Sequence, residues 1–176
     1  MRLLRLYLIS VSVFLFVICT VTSQGVAGVA GSPESFLRRA EHGDCNAQCY
    51  LGHLYLSGKG VTQDFEKAKY WYGKVIDNEG ADAKIIAHAN FVMGRLYASG
   101  KGGIQDYKTA LQCFKIAAKQ GYTDAHINIG LLYAKGLGVS KDYQQALFWW
   151  ELAALKGHPT APGYVRQLKK KIEAAG

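Results

Sequence analysis

One fourteen-residue run returns three times along this chain: LGHLYLSGKGVTQD at 51–64, MGRLYASGKGGIQD at 93–106 and IGLLYAKGLGVSKD at 129–142. Take Gly52, Gly94 and Gly130 as the origin of each unit. An alanine then stands five residues before it (Ala47, Ala89, Ala125), and Leu-Tyr pairs follow, ending in Tyr55, Tyr97 and Tyr133. Six and eight places on come further glycines (Gly58 and Gly60, Gly100 and Gly102, Gly136 and Gly138). An aspartate follows at twelve (Asp64, Asp106, Asp142), an alanine at sixteen (Ala68, Ala110, Ala146) and an aromatic ring at twenty (Tyr72, Phe114, Trp150). The last two origins lie 36 residues apart and the first two 42, because DNEGADAKIIAH carries six extra residues. A fixed period in this range marks a stacked-repeat solenoid, in which no unit can bury its own apolar face and its neighbours supply the cover.

Each unit reads as two helices. The first holds the alanine, the origin glycine and the Leu-Tyr pair at helical spacings, so Ala47, Leu51 and Leu54 or Tyr55 fall along one stripe. Glycine inside a helix costs about 1 kcal/mol relative to alanine, so Gly52, Gly94 and Gly130 imply a partner helix too close for a larger residue. Gly58, Gly100 and Gly136 suit a left-handed helix stop. The second helix begins beside the aspartate, whose carboxylate can accept from the free amides of the first turn. Gln145, three residues after Asp142, completes a capping-box pattern that Lys67 and Thr109 do not. Trp71, Tyr72, Phe114, Trp149 and Trp150 are predicted to fill the seam with the next unit. ESFLRRAEHG sets Phe36 against Trp150 and Ala40 against Ala154, so it reads as an orphan second helix. TAPGYVRQLKKKIEAA keeps Ala161 and Leu168 but places Arg166 at the origin column, which reads as a solvated cap.

With these columns in hand, the chain resembles the SEL-one-like repeat family, close relatives of tetratricopeptide repeats, over about residues 36–168. Gly103 stands where the family pattern has valine, and Met93 and Ile129 where it has leucine. The resemblance implies an all-α, right-handed α-solenoid of about three helix-hairpin repeats with partial capping helices, first helices lining a concave surface. The expected organisation is a signal peptide over 1–30, a partial repeat helix over 34–44, repeats over 45–80, 84–121 and 122–157, and a cap over 160–176. The resemblance also implies an exported bacterial scaffold that holds a protein or peptide, as a regulator or an immunity protein for an effector.

The N-terminus supports export: Arg2 and Arg5 precede the apolar run Leu6 to Val21, followed by small residues with cleavage points after Ser23, Ala27 or Ala30. Sixteen apolar residues fall short of the roughly 20 that span a bilayer, so no stable membrane span is expected after cleavage. Ile18 before Cys19 is bulkier than lipoprotein processing favours. The mature protein is expected to be periplasmic or secreted, with Cys45, Cys49 and Cys113 in an oxidising compartment. The chain is 49% hydrophobic, 19% charged and carries a formal charge of +8, which places it among ordinary globular proteins. The basic residues are spread singly except at Lys169, Lys170 and Lys171, so nucleic acid is not an expected partner.

For chemistry, Cys45, Cys49 and His53 share one helical stripe and could ligate a soft metal, or serve as partly buried small residues. No fourth ligand is evident, and neither metal nor cofactor is expected. The cysteine columns of the family's cysteine-rich members are not matched by Cys49 or Cys113, so a disulfide framework is not implied. No G-x-S-x-G or phosphate loop occurs, and G-K-G recurs as an interhelical turn. A hydrolase of cell-wall or beta-lactam substrates, an activity attributed to those members, is the alternative to a scaffold without catalysis. His88, His126 and His158 near helix starts read as surface or capping residues. Groove candidates are the columns that vary while their neighbours repeat: His53, Arg95 and Leu131 just after each origin, and Cys49, Phe91 and Ile127 or Asn128 before it. Phe91 beside Arg95 resembles a peptide-anchoring pair, with core packing as the other reading. A monomer is expected.

Overall fold

The computed structural model describes residues 33–174. The expected signal peptide therefore lies outside the described residues, as do positions 175 and 176. The described chain is all helical, with no strand: α1 (Pro33–Glu41), α2 (Cys45–Ser57), α3 (Phe65–Ile76), α4 (Ala83–Ser99), α5 (Tyr107–Lys119), α6 (Thr123–Lys135), α7 (Tyr143–Leu155) and α8 (Ala161–Glu173). Each helix packs on the next in sequence, so α2–α3, α4–α5 and α6–α7 form three stacked hairpins, with α1 before them and α8 after.

The recurring residues explain why the hairpins match. Gly58, Gly100 and Gly136 end the first helices at φ 72, 70 and 70°. The backbone amides of Asp64, Asp106 and Asp142 then donate to the carbonyls of Tyr55, Tyr97 and Tyr133, at 2.9, 2.9 and 3.0 Å. Their carboxylates accept from first-turn amides of α3, α5 and α7: Lys67; Lys108 and Thr109; Gln144 and Gln145. One aspartate thus closes the loop and starts the next helix. This corrects the capping-box expectation for Gln145, since the Asp142 amide it would have accompanied is already held by Tyr133.

The origin glycines behave as their position requires. A methyl group at Gly52 would stand 2.9 Å from the Tyr72 ring and at Gly94 2.7 Å from the Phe114 ring, while at Gly130 it would overlap Trp150. The aromatic at column twenty therefore lies directly on the glycine of its own unit, with Trp150 Nε1 also donating to the Ile127 carbonyl at 3.1 Å. Only part of the ring set reaches the next unit: Tyr72 joins a cluster with Ala89, Val92 and Leu96, whereas Trp71 packs on Ala47, Leu51 and Leu54 of its own hairpin. Between units the spacing is set by backbone: a methyl group at Gly102 would meet the Phe65 carbonyl, and one at Gly138 the Tyr107–Lys108 peptide. The insert ends in an extra turn on α4, capped by Asp82 through the Lys84 amide, which makes α4 17 residues long against 13 for α2 and α6.

Candidate functional site

The face formed by the first helices of the hairpins is where residue identity varies over a repeated frame, and α2 packs directly against α4 there. His53 and Arg95 are exposed, and Leu131 is half-buried against the cluster around Trp150. Arg95 lays its guanidinium 5.9 Å from the centroid of the Phe91 ring. Phe91 itself is a correction: only 8% exposed, it packs on Phe114 and on Tyr122, whose ring centroid is 4.5 Å away, and it belongs to the central core. It steadies Arg95 from below and offers no side chain to a partner. Ile127 is buried in the same way, and half-buried Asn128 turns its amide back to the Asp124 carbonyl of its own helix.

At the first junction the face opens into a crevice of about 380 Å³ between α2 and α4, lined by Asn46, Cys49, Tyr50, His53, Lys84, Ile85 and His88. His88 sits between the rings of Tyr72 and Tyr122, with Nδ1 3.4 Å from the Tyr122 hydroxyl. Burial, with a smaller contribution from His53, holds its imidazole below the ordinary range, so it is neutral at pH 7. Burial pushes the Cys49 thiol up, the opposite of an activated nucleophile. Among the described residues, no group of three His, Cys, Asp or Glu side chains converges to hold a metal, so the Cys45, Cys49, His53 stripe is not assembled as a ligand set. Cys45, Cys49 and Cys113 are free thiols.

The surface or capping reading fails for His126 and for half-buried His88, and holds for His158, whose Nδ1 accepts from the Thr160 amide at the start of α8 at 3.3 Å. His126 is 2% exposed, with Nδ1 3.2 Å from the Thr123 carbonyl and its ring against Trp149. His158 is half-buried and bridges hairpin three by bonding Asp124 at 2.9 Å. A column that sequence reasoning passed over explains the first: the residue after each repeated alanine is polar and buried, namely Gln48, Asn90 and His126. Each faces a carbonyl, of Ala40, Ile86 and Thr123 respectively. The legible signal was three polar residues in one column flanked by apolar ones.

The Sel1 repeat family matches at residues 45–78, 87–122 and 123–158. Among solved structures, a Sel1 repeat protein from Oxalobacter formigenes is 33% identical with a TM-score of 0.71, covering 80% of this chain and 53% of its own. The protein c5321, a protective antigen present in uropathogenic Escherichia coli strains and displaying an SLR fold, is 31% identical with a TM-score of 0.67, covering 74% of this chain and 27% of its own. The chain thus spans about half the length of the first and about a quarter of the second. Cysteine rich protein B of Helicobacter pylori shares the fold at 23% identity and a TM-score of 0.55, over 77% of this chain and 99% of its own. No curated protein matches.

Proposed function

The chain belongs to the Sel1 repeat family, and from that premise we propose that it is an exported interaction scaffold that binds a protein or peptide along its first-helix face. The observation that carries this reading is the contrast within one helix face. The packing frame recurs, with Ala47, Ala89 and Ala125 and a ring lying on each origin glycine, while the column just after each origin changes from exposed His53 to exposed Arg95 to half-buried Leu131. A packed frame with freely varying outward side chains is what a recognition surface requires, because specificity resides in a few exposed anchors on a rigid support. Export is supported by the apolar N-terminal run after Arg2 and Arg5. No helix among the described residues is long and apolar enough to cross a membrane. In the envelope, a short scaffold of this kind serves as a regulator or as the immunity partner of an effector, blocking its cleft.

Affinity capture from periplasmic extract tests the reading, using the wild-type protein beside an H53E/R95E variant. Both positions are exposed, so folding is preserved. The expected result is a stoichiometric partner that the wild type retains and the variant loses. A partner held equally by both places recognition elsewhere and overturns it. For the immunity role, co-expression is expected to relieve the toxicity of an effector encoded beside the gene.

A further inference from the structure

The crevice between α2 and α4 exists because one column is emptied in one unit only. Three residues before the origin, the second and third units carry Phe91 and Ile127, both 8% exposed, whereas the first carries Cys49. At the second junction, Phe91 and the Tyr122 ring packed on it fill the corresponding space. At the first junction the small Cys49 leaves it open, and Lys84 and Ile85, on the extra turn that the insert adds to α4, build its far wall. The floor is therefore apolar and of a size that an aromatic ring occupies one repeat later. Its lining carries the cation Lys84 and the imidazoles of His53 and His88, together with the thiol of Cys49 and the phenol of Tyr50. No carboxylate lines it.

We propose that this crevice is the anchor pocket for an acidic peptide segment: an aromatic side chain of the partner enters beside Cys49 in the manner of Tyr122 beside Phe91, and a neighbouring partner carboxylate is held by Lys84 and His53. The proposal rests on the scaffold reading and gives the partner a chemistry. Aromatic anchors dominate such interfaces because they bury much area at little entropic cost, and complementary charge supplies orientation and encounter rate.

The probe is the blocked peptide acetyl-Glu-Glu-Phe-Glu-Glu-amide, titrated into the full-length mature protein and followed by NMR at the His53 and His88 imidazoles and the Cys49 amide. The expected result is a saturable shift at these positions with a Kd below about 1 mM. The analogue with Ala for Phe, and acetyl-Lys-Lys-Phe-Lys-Lys-amide, should bind at least about tenfold more weakly. Cys49→Phe, which installs the side chain the second repeat carries in this column, should weaken binding about tenfold or more. Should Cys49→Phe fold poorly, Lys84→Glu at an exposed site is the second variant, and it should exchange the preference between the acidic and basic peptides. Absence of a saturable shift, equal binding by the Ala analogue, or undiminished binding to both variants overturns the proposal. If the peptide fails while a captured partner still depends on His53 and Arg95, the pocket falls and the scaffold reading stands. If the peptide binds as described and no envelope partner is captured, the pocket stands and the scaffold reading loses its support.

Discussion

A methyl group at Gly94 would stand 2.7 Å from a carbon of the Phe114 ring, closer than real Cβ contacts come, and the ring is 1% exposed within the central core cluster. Alanine there gains up to about 1 kcal/mol of helix propensity and loses about 1–3 kcal/mol to overpacking, so the packing term decides the sign. Gly52→Ala, Gly94→Ala and Gly130→Ala are therefore expected to lower stability in urea unfolding. Gly130→Ala should cost most, because it also pushes Trp150 off the Ile127 carbonyl. Gly73, inside α3 with nothing within 4 Å of an added methyl, is the internal control, and Gly73→Ala should stabilise by about 0.5–1 kcal/mol. The glycine and aromatic columns were legible because they recur, and a recurring small residue at helical spacing means a close neighbour. The environments of Phe91 and His126 were not. Whether a residue beside a repeated apolar stripe points out or in depends on rings outside its own helix, here Tyr122 of the next unit for Phe91 and Trp149 of the second helix of the same hairpin for His126, and helical spacing within one helix does not encode their reach.

The helix starts set the pH response of the hairpins. The Asp44 and Asp64 carboxyls are held below the ordinary range chiefly by the amides of Ala47 and Lys67, and that of Asp106 by the Thr109 hydroxyl and then the Thr109 amide. A carboxyl whose folded pKa is depressed contributes stability that is fully present above its unfolded value of about 3.9 and is lost as pH falls through the folded value. The cap carboxyls should accordingly add a fall in the urea midpoint through about pH 4 and below, after the loss that begins near about pH 6.5 as His88 and His126, whose imidazoles burial keeps neutral, are driven to charge. A D44N/D64N/D106N variant, which keeps an accepting oxygen at each cap, should show a shallower decline over the same range at modest cost near neutrality. Asp64→Ala should cost about 1 kcal/mol at pH 7. Thr109→Val should bring the Asp106 carboxyl back toward its ordinary range in an NMR titration while leaving Asp64 unmoved. At this scale the sequence predicted the aspartate caps, since Asp, Gly and aromatic columns keep one register. It misjudged Gln145 because a capping box presumes a free amide, and the loop geometry had committed that of Asp142 to Tyr133. The extra turn of α4 was equally hidden, because AKII reads as insert until Asp82 is seen to cap it.

Across the whole described molecule, the first and last helices carry the same exception. Backbone bonds put Arg39 in register with Ala117 and Ala153: each carbonyl accepts the amide five residues on, of Asp44, Tyr122 and His158. Ala117 and Ala153 are fully buried, whereas the Arg39 side chain is 50% exposed and paired with Asp44. At the other end Arg166 is exposed in the column of Gly52, Gly94 and Gly130, beside an apolar groove between α7 and α8 where Leu155 is 86% exposed. The corresponding surface one unit earlier, at Ile129 and Gly130, is covered by α7. An orphan second helix at one end and an orphan first helix at the other are complementary halves of a hairpin, so α1 of one copy could complete α8 of another. Such a head-to-tail contact does not close and would grow into a filament. Two arginines stand in its way, one by bulk at the glycine column and both by like charge across the seam. The chain is therefore expected to keep the mass of one copy at all concentrations in light scattering, whereas R39A/R166G should grow in mass with concentration. Salt separates the two barriers. In 1 M NaCl the Debye length falls to about 3 Å and repulsion is screened, but a side chain at the glycine column keeps its volume. Arg166→Gly alone should then associate in high salt and stay single in low salt, while Arg39→Ala alone should stay single in both. Association of Arg39→Ala in either buffer would show that the glycine column does not guard this end.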